Sequence, residues 1–180
     1  MQTVQVFVNT FFEERRAQLL SLAGLVEKSF ASAGLEYRIA GGLAAHLYAE
    51  EVDPDAGRLT KDIDIVVRRE DLQAIAQVVE PFGLQYRHAA GVDMLLQAGA
   101  PSGRRAVHMM LENELGPCRS IRGIRLVPLI DLVRMKLTSF RLKDQMHLKD
   151  LDELGLITSE METELIPIQR ERLADVRSRE

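Results

Sequence analysis

The sequence contains a single cysteine, Cys118, so no disulfide can form within the chain, which is typical of proteins from a reducing cytoplasm. It also lacks any apolar run near the roughly 18 residues that a transmembrane helix needs. Its first residues lack the basic start and apolar core of a signal peptide. A net charge of −4 disfavours a protein that coats nucleic acid by charge alone. We therefore expect a soluble cytoplasmic protein with no membrane partner.

What the chain does have is an ordinary globular composition of 180 residues, 46% of them hydrophobic and 28% charged. That length is enough for one domain with a hydrophobic core and a small appendage. The predicted order is helix, strand, helix, strand, helix, several strands and then helices. This order indicates an α/β or α+β fold with a helical C-terminal subdomain. We predict a core over residues 1–127 and a helical subdomain over residues 128–180 that packs on it.

The predicted elements follow from hydrophobic periodicity and capping signals. Thr10, with Glu13 three residues later, has the form of a capping box, so a long amphipathic helix is expected from there to Gly34. Ser159 with Glu162 forms a second candidate capping box, and the polar residues 170–180 are expected to fray. Strands are predicted over residues 36–40, 62–67, 84–88, 92–96 and 105–111, with a strand or hairpin over 118–126, and helices over 42–50, 70–80 and from Pro128 to the end.

A pair of glycines, Gly41-Gly42, ends the first predicted strand and begins a predicted helix. Glycine lets backbone N–H groups approach a ligand closely, and a helix N-terminus attracts anions. A Gly-Gly pair by itself is most often an ordinary turn. Together with the acidic pair on the next strand, it favours a phosphate-binding site.

Two aspartates, Asp62 and Asp64, alternate with Ile63 and Ile65 in the second predicted strand. Because side chains alternate between the two faces of a strand, both aspartates should lie on one face and both isoleucines on the other. Neighbouring carboxylates repel each other unless a cation lies between them, and Mg²⁺ typically uses one or two carboxylates with substrate phosphates. The pair therefore predicts a metal site, although a solvated edge strand would show the same alternation.

The first predicted helix of the C-terminal subdomain carries a lysine on its apolar face. Lys136 falls between Leu132 and Phe140 within the apolar stripe. Its ammonium must then either reach solvent or meet an anion, and a nucleotide triphosphate is one such anion. On the next helix Asp144 also faces inward, which is costly unless it pairs with Lys136 or Lys143. Asp144 could orient a site lysine or simply hold the two helices together.

Four segments of the sequence resemble the DNA polymerase β-like nucleotidyltransferase superfamily. They are Gly41-Gly42-Leu43-Ala44, Thr60-Lys61-Asp62-Ile63-Asp64-Ile65-Val66, Arg134-Met135-Lys136-Leu137 and Arg141-Leu142-Lys143-Asp144. The most similar branch comprises the AbiEii-type nucleotidyltransferases of type IV toxin–antitoxin systems and their uncharacterised relatives. The resemblance covers roughly residues 36–155, which is most of the chain.

The resemblance implies a mixed β-sheet flanked by helices, and transfer of a nucleoside monophosphate from an NTP to an acceptor with release of pyrophosphate. In such enzymes the glycine turn holds the triphosphate, and the aspartate pair holds Mg²⁺ or Mn²⁺, which stabilises the attacking and leaving oxygens. Relatives modify tRNA ends, hydroxyl groups of partner proteins or small molecules, so the acceptor stays open, as does a cognate antitoxin. The residues implied to serve the nucleotide and its metal are Gly41, Gly42, Asp62, Asp64, Lys136, Lys143 and Asp144.

The sequence departs from the family's pattern at one position. The family commonly has a third carboxylate on a later strand, where this chain has His108. His108 could be the catalytic base that activates the acceptor, or it could pack in the strand while the aspartate pair alone binds metal. Asp93 or Glu112 could supply the missing oxygen. Alternatively, the chain is a catalytically degenerate binding module, a nucleotide sensor or protein partner that binds a nucleotide without transferring it.

A local basic segment contains Arg119, Arg122 and Arg125. These arginines could contact RNA phosphates. A charged loop exposed to solvent would show the same pattern, so the segment leaves an RNA acceptor open without predicting one.

Overall fold

The computed structural model describes the backbone of residues 2–58, 60–99 and 106–179, and side chains from residue 14 onward within those ranges. The helices are α1 (Gln2–Ser32), α2 (Gly41–Val52), α3 (Leu72–Val78), α4 (Leu129–Ser139), α5 (Leu142–Glu153), α6 (Ser159–Thr163) and α7 (Pro167–Ser178). The strands are β1 (Tyr37–Ala40), β2 (Ile63–Arg68), β3 (Leu84–Ala89), β4 (Val92–Gln97), β5 (Ala106–Glu112), β6 (Arg119–Ile121) and β7 (Ile124–Leu126). Of the described helices, none is both long and apolar enough to cross a membrane.

The chain divides into two compact units, each built from two separate segments. The first unit comprises Met1–Arg38 and Leu59–Leu115, and the second comprises Ile39–Arg58 and Gly116–Glu180. Strand β1 therefore begins in the first unit and ends in the second. The predicted domains, residues 1–127 and 128–180, partition the chain differently and stay a prediction.

The first unit is a mixed sheet with helices, in the strand order β3-β4-β5-β2. Strands β3, β4 and β5 are antiparallel neighbours, whereas β5 and β2 run parallel. Ile63, Ile65 and Val67 of β2 are fully buried and alternate with more exposed residues, as the sequence predicts. Helices α1 and α3 contact each other and supply further core residues, among them Phe30 and Ile75.

The second unit combines a small mixed sheet with most of the helices. Its strand order is β1-β7-β6, with β1 and β7 parallel and β7 and β6 antiparallel. Helices α2, α4, α5 and α7 contact one another around buried leucines such as Leu132, Leu148 and Leu173. Mixed sheets flanked by helices, followed by C-terminal helices, confirm the predicted fold class.

Three details of the predicted elements are wrong at the chain's two ends. Helix α1 already begins at Gln2, so Thr10 lies inside it and is no cap; residues 2–9 contain no glycine or proline that would stop the helix. Thr158, rather than Ser159, caps α6, because its backbone is extended and its hydroxyl accepts a bond from the Met161 N–H at 3.4 Å. Helix α7 runs to Ser178 instead of fraying.

The strand predicted over residues 105–111 is found as β5, Ala106–Glu112. Its predicted first residue, Arg105, lies outside the residues that the structure describes.

The end of α7 is ordered by an ion-pair network in which Arg177 donates to both Asp152 and Glu162. A polar composition alone did not reveal these partners, because they come from two other helical segments.

The core of the first unit should be sensitive to loss of Phe30, which is fully buried and packs edge-on against Tyr37 with ring centroids 5.4 Å apart. Truncating a buried phenylalanine removes apolar burial and leaves a cavity. We expect Phe30→Ala to lower the free energy of unfolding by about 3–5 kcal/mol in urea denaturation. Leu142→Ala, at a side chain that is 75% exposed, should change it by less than about 0.5 kcal/mol. Equal effects of the two truncations would contradict this core assignment.

Candidate functional site

The Gly41-Gly42 turn requires glycine at its first position. Gly41 is the first residue of α2 and has a φ of +64°, a left-handed conformation that other residues adopt only with strain. The residue before it, Ala40, is the N-cap of the helix and contributes no side-chain cap to the first N–H groups. Gly42 is buried within the first turn. The strand, turn and helix thus follow each other as predicted.

Asp64 lies where the alternation predicts, whereas Asp62 lies just outside the strand. Asp64 is in β2, and Asp62 immediately precedes Ile63, the first residue of the strand. Both aspartates are partly exposed, whereas Ile63 and Ile65 are fully buried. The isoleucines therefore anchor the strand in the core and leave the carboxylate of Asp64 on the opposite, more accessible side.

His108 lies beside Asp64 in the first unit. The two residues are directly paired in register between the parallel strands β2 and β5, so their side chains share one face of the sheet. Nδ1 of His108 is 3.4 Å from Oδ1 of Asp64, and the two side chains are 33% and 30% exposed. His108 is therefore not packed in the core. It forms part of the same surface as the carboxylate.

Asp93 and Glu112, the alternative sources of a third oxygen, do not take that position. Asp93 is in register with Met109, the residue next to His108, and so lies on the other face of the sheet. Glu112 shares the face of His108 but is four residues further along β5, about 13 Å away at the usual rise of a strand. His108 is consequently the titratable β5 neighbour of Asp64.

Asp93 instead belongs to a network that the sequence analysis did not find. Its Oδ1 accepts hydrogen bonds from the Tyr86 hydroxyl and from Nδ1 of His88, both at 2.7 Å. These bonds, that of Tyr86 first, hold the pKa of Asp93 below its usual value. The sequence does contain a signal for this network. A short turn at Ala90-Gly91 places His88 opposite Asp93 in the β3–β4 hairpin.

In the second unit, Lys136 is buried and meets an anion instead of reaching solvent. Its side chain is 3% exposed, and its Nζ lies 3.0 Å from Nδ1 of His147 and 3.7 Å from Oδ1 of Asp144. The expected pairing of Asp144 with Lys136 is thus present. The other candidate partner, Lys143, is exposed on α5. Helices α4 and α5 are therefore joined by a buried lysine, carboxylate and imidazole.

The protonation states of this cluster follow from its contacts. Burial alone would raise the pKa of Asp144, but hydrogen bonds from Ser139 and Arg141 and the charge of Lys136 outweigh it and lower that pKa. Burial, and then the charge of Lys136, lower the pKa of His147 to about 4. Because an ammonium only donates, Nδ1 of the neutral His147 is the acceptor. The cluster therefore holds a carboxylate, an ammonium and a neutral imidazole at neutral pH.

The basic segment at β6 and β7 is largely engaged by acidic residues of α2. Arg122 lies 3.1 Å from a carboxylate oxygen of Glu50, and Arg119 lies 3.5 Å from one of Glu51. Both pairs tie the β6–β7 hairpin to the helix within the second unit. Charges that are neutralised in this way are poorly suited to attract RNA phosphates.

A divalent ion fits the donors on β2 and β5 chemically, but they do not enclose one by themselves. Within the described residues, no group of three or more His, Cys, Asp or Glu side chains is arranged to hold a metal. The carboxylates of Asp62 and Asp64 are hard oxygen donors that suit Mg²⁺ or Mn²⁺, and the remaining ligands would have to come from a nucleotide and water. Such an open site is the usual one for a metal that enters with substrate phosphates.

The fold resembles that of ANT(2'')-Ia, an antibiotic-resistance factor. Its solution structure matches with a TM-score of 0.50 at 13% identity, over 89% of this chain and 83% of that one. Its crystal structure in complex with adenylyl-2''-tobramycin matches with a TM-score of 0.54 at 15% identity, over 90% of this chain and 98% of that one. No protein-family model and no curated protein matches the sequence.

ANT(2'')-Ia is a nucleotidyltransferase, so the chain has a nucleotidyltransferase fold. The predicted resemblance to the superfamily is confirmed at the level of the fold. The narrower assignment to AbiEii-type toxins stays a prediction. At these identities the likeness concerns the fold alone.

Because the backbone of Gly41 is left-handed, alanine should destabilise the protein at this position but not at Gly24. We expect Gly41→Ala to lower the free energy of unfolding by about 1–2 kcal/mol, because alanine must adopt a φ near +64° there. The control is Gly24→Ala, within α1, where an added Cβ meets no atom within 4 Å. That change should be neutral or stabilise by up to about 1 kcal/mol. Urea denaturation of both variants measures the difference, and a neutral Gly41→Ala would contradict the assigned turn.

The depressed pKa of His147 predicts a pH dependence of stability. An unfolded histidine binds a proton near pH 6.5 and the folded one only near pH 4, so the unfolded state holds more protons between these values. The free energy of unfolding should therefore fall as the pH falls through this window, by at most about 3 kcal/mol. His147→Gln should remove this part of the loss. An identical pH profile of wild type and variant in urea denaturation would refute it.

Proposed function

We propose that this protein is a metal-dependent nucleotidyltransferase that moves a nucleoside monophosphate from an NTP to an acceptor. The observation that carries the proposal is the aspartate pair at β2. In a nucleotidyltransferase fold, Asp64 is partly exposed on a strand whose isoleucines are buried, and the partly exposed Asp62 immediately precedes that strand. Exposed carboxylates of this kind are available to a divalent ion that enters with substrate phosphates.

In the proposed reaction, an acceptor hydroxyl attacks the α-phosphorus of the NTP. A new oxygen–phosphorus bond forms, the bond to the β-phosphate oxygen breaks, and pyrophosphate leaves with its charge. The bound Mg²⁺ or Mn²⁺ would supply charge stabilisation for the attacking and leaving oxygens. Asp62 and Asp64 would hold that ion. His108, beside Asp64, would either accept the hydroxyl proton or bind the ion, in which case water would take the proton.

The glycine turn and the lysines keep the nucleotide-binding roles that the sequence predicts for them. The first turn of α2 at Gly41-Gly42 is proposed to bind phosphate through backbone N–H groups. Lys136 is proposed as a charge clamp for the triphosphate. Asp144 and His147 would position its ammonium, since both contact it. Lys143 has less support, because its exposed side chain is outside this cluster.

For the acceptor, we favour a hydroxyl group of a small molecule over RNA. ANT(2'')-Ia was solved with adenylyl-2''-tobramycin, a nucleotidylated small molecule. Two arginines of the basic segment, Arg119 and Arg122, by contrast pair with glutamates of α2. The proposal also includes a role as the toxin of a type IV toxin–antitoxin system with a cognate antitoxin. It further includes a cytoplasmic localisation.

One observation favours a second candidate, a degenerate module that binds nucleotides without transferring them. No described group of three metal-binding side chains surrounds Asp64, and an imidazole stands where a third carboxylate would complete such a group. Such a module would bind an NTP with metal but release no pyrophosphate with any acceptor. Catalysis and binding must therefore be measured on the same protein.

We expect Asp64→Asn to reduce pyrophosphate release at least about a hundred-fold, because it removes a metal-binding charge while keeping the side-chain shape. The assay supplies α-labelled NTPs, divalent metal and pooled small-molecule hydroxyl acceptors. Asp93→Asn is the matched control, since Asp93 lies on the other face of the same sheet and should leave turnover within about threefold. Metal-dependent NTP binding without turnover would support the binding module instead. NTP binding that needs no metal and survives Asp64→Asn would refute both functions.

A further inference from the structure

The contact between His108 and Asp64 is about 0.4 Å longer than the separation of two adjacent ligands of an octahedral ion, so a small side-chain movement would bring both donors to one ion. Two donor atoms bound to one ion at about 2.1 Å are about 3.0 Å apart at an octahedral angle and about 3.4 Å apart at a tetrahedral angle. Nδ1 of His108 and Oδ1 of Asp64 are 3.4 Å apart. Both side chains are about one-third exposed, so an ion and its remaining ligands have access from solvent.

The same contact is too long for an ordinary hydrogen bond. An N–H donor and a carboxylate oxygen normally lie about 2.7–3.2 Å apart. The protein provides its own comparison, since Nδ1 of His88 lies 2.7 Å from Oδ1 of Asp93 on the other face of the sheet. His88 is thus hydrogen-bonded to its carboxylate, whereas His108 is beside Asp64 without an ordinary hydrogen bond to it.

We propose that His108 Nδ1 and Asp64 Oδ1 bind the same divalent ion, and that this mixed site prefers Mn²⁺ to Mg²⁺. The inference rests on the proposed function, because it concerns the ion that enters with the nucleotide. Imidazole nitrogen suits first-row transition ions, whereas Mg²⁺ prefers oxygen ligands. Replacing one carboxylate by a neutral imidazole also lowers the negative charge of the donor set, which weakens a purely electrostatic site. Nucleotide phosphates and water would complete the coordination.

This role separates His108 from a catalytic base. A base needs an unprotonated ring nitrogen directed at the proton that it accepts. Nδ1 of His108 faces Asp64, so a base at this position would have to act through the other ring nitrogen, Nε2. Metal binding through Nδ1 agrees with this orientation, because the register of β2 and β5 places His108 directly beside Asp64.

Pulsed electron paramagnetic resonance of bound Mn²⁺ tests this directly, because it detects nitrogen atoms coordinated to the ion. We expect tag-free protein with Mn²⁺ and a non-hydrolysable NTP to show ¹⁴N modulation from imidazole. The ¹⁴N pattern should be replaced when the protein is labelled with ¹⁵N-histidine, which requires no variant. His108→Ala should abolish the modulation and weaken Mn²⁺ binding at least about ten-fold. His88→Ala, the matched control, should retain both.

The metal preference is tested by His108→Asp, which makes the donor set all-oxygen. We expect its Mn²⁺-to-Mg²⁺ affinity ratio to fall at least about ten-fold relative to wild type, measured by calorimetry. Mn²⁺ binding without histidine modulation, or modulation that survives His108→Ala, would overturn the inference and leave the proposed function standing. If neither ion binds with or without an NTP, both the inference and the proposed function fail.

Discussion

The pairing of β2 with β5 is the constraint on which the candidate metal site depends. Ile63, Ile65 and Val67 fix the orientation of β2 because they are fully buried on one side. The parallel register then places His108 directly beside Asp64. A shift of β5 by one residue would bring Val107 or Met109 to that position and move the imidazole to the other face. Burial of apolar side chains on one face of β2 thus determines which polar atoms can meet on the other face.

The buried cluster of the second unit differs from the candidate metal site because its charged groups are not exposed to solvent. On β2 and β5, polar groups remain partly exposed and can exchange their partners for an ion. Lys136, Asp144 and His147 are nearly excluded from water and satisfy one another. Burying a lysine is tolerable because a carboxylate and a neutral imidazole compensate for its lost hydration. Loss of either partner would leave an ammonium in a poorly hydrated site, so this cluster contributes to the integrity of α4 and α5 whether or not it meets a nucleotide.

The sequence was sufficient for features that depend on local periodicity. Alternation placed Asp64 opposite the buried isoleucines of β2, and the helical period placed Lys136 inward, because each follows from the geometry of a single element. Pairing between elements was harder to predict. The distance of His108 from Asp64, the Tyr86–Asp93–His88 network and the ion pairs of Arg177 depend on strand register or on helix packing. The cap predicted at Thr10 was wrong because a capping motif does not begin a helix when no glycine or proline interrupts the helix before it.

The histidine in place of a third carboxylate bears on the choice between an enzyme and a binding module. A site in which an imidazole replaces a carboxylate attracts a hard cation less strongly, so weak Mg²⁺ binding is expected whether the protein is an enzyme or a binding module. Absence of turnover with Mg²⁺ would therefore not identify a degenerate site. With Mn²⁺ the two hypotheses diverge, because an imidazole that binds the ion restores the coordination that an active site requires. The partial exposure of His108, beside a carboxylate to which it is not hydrogen-bonded, favours the enzyme.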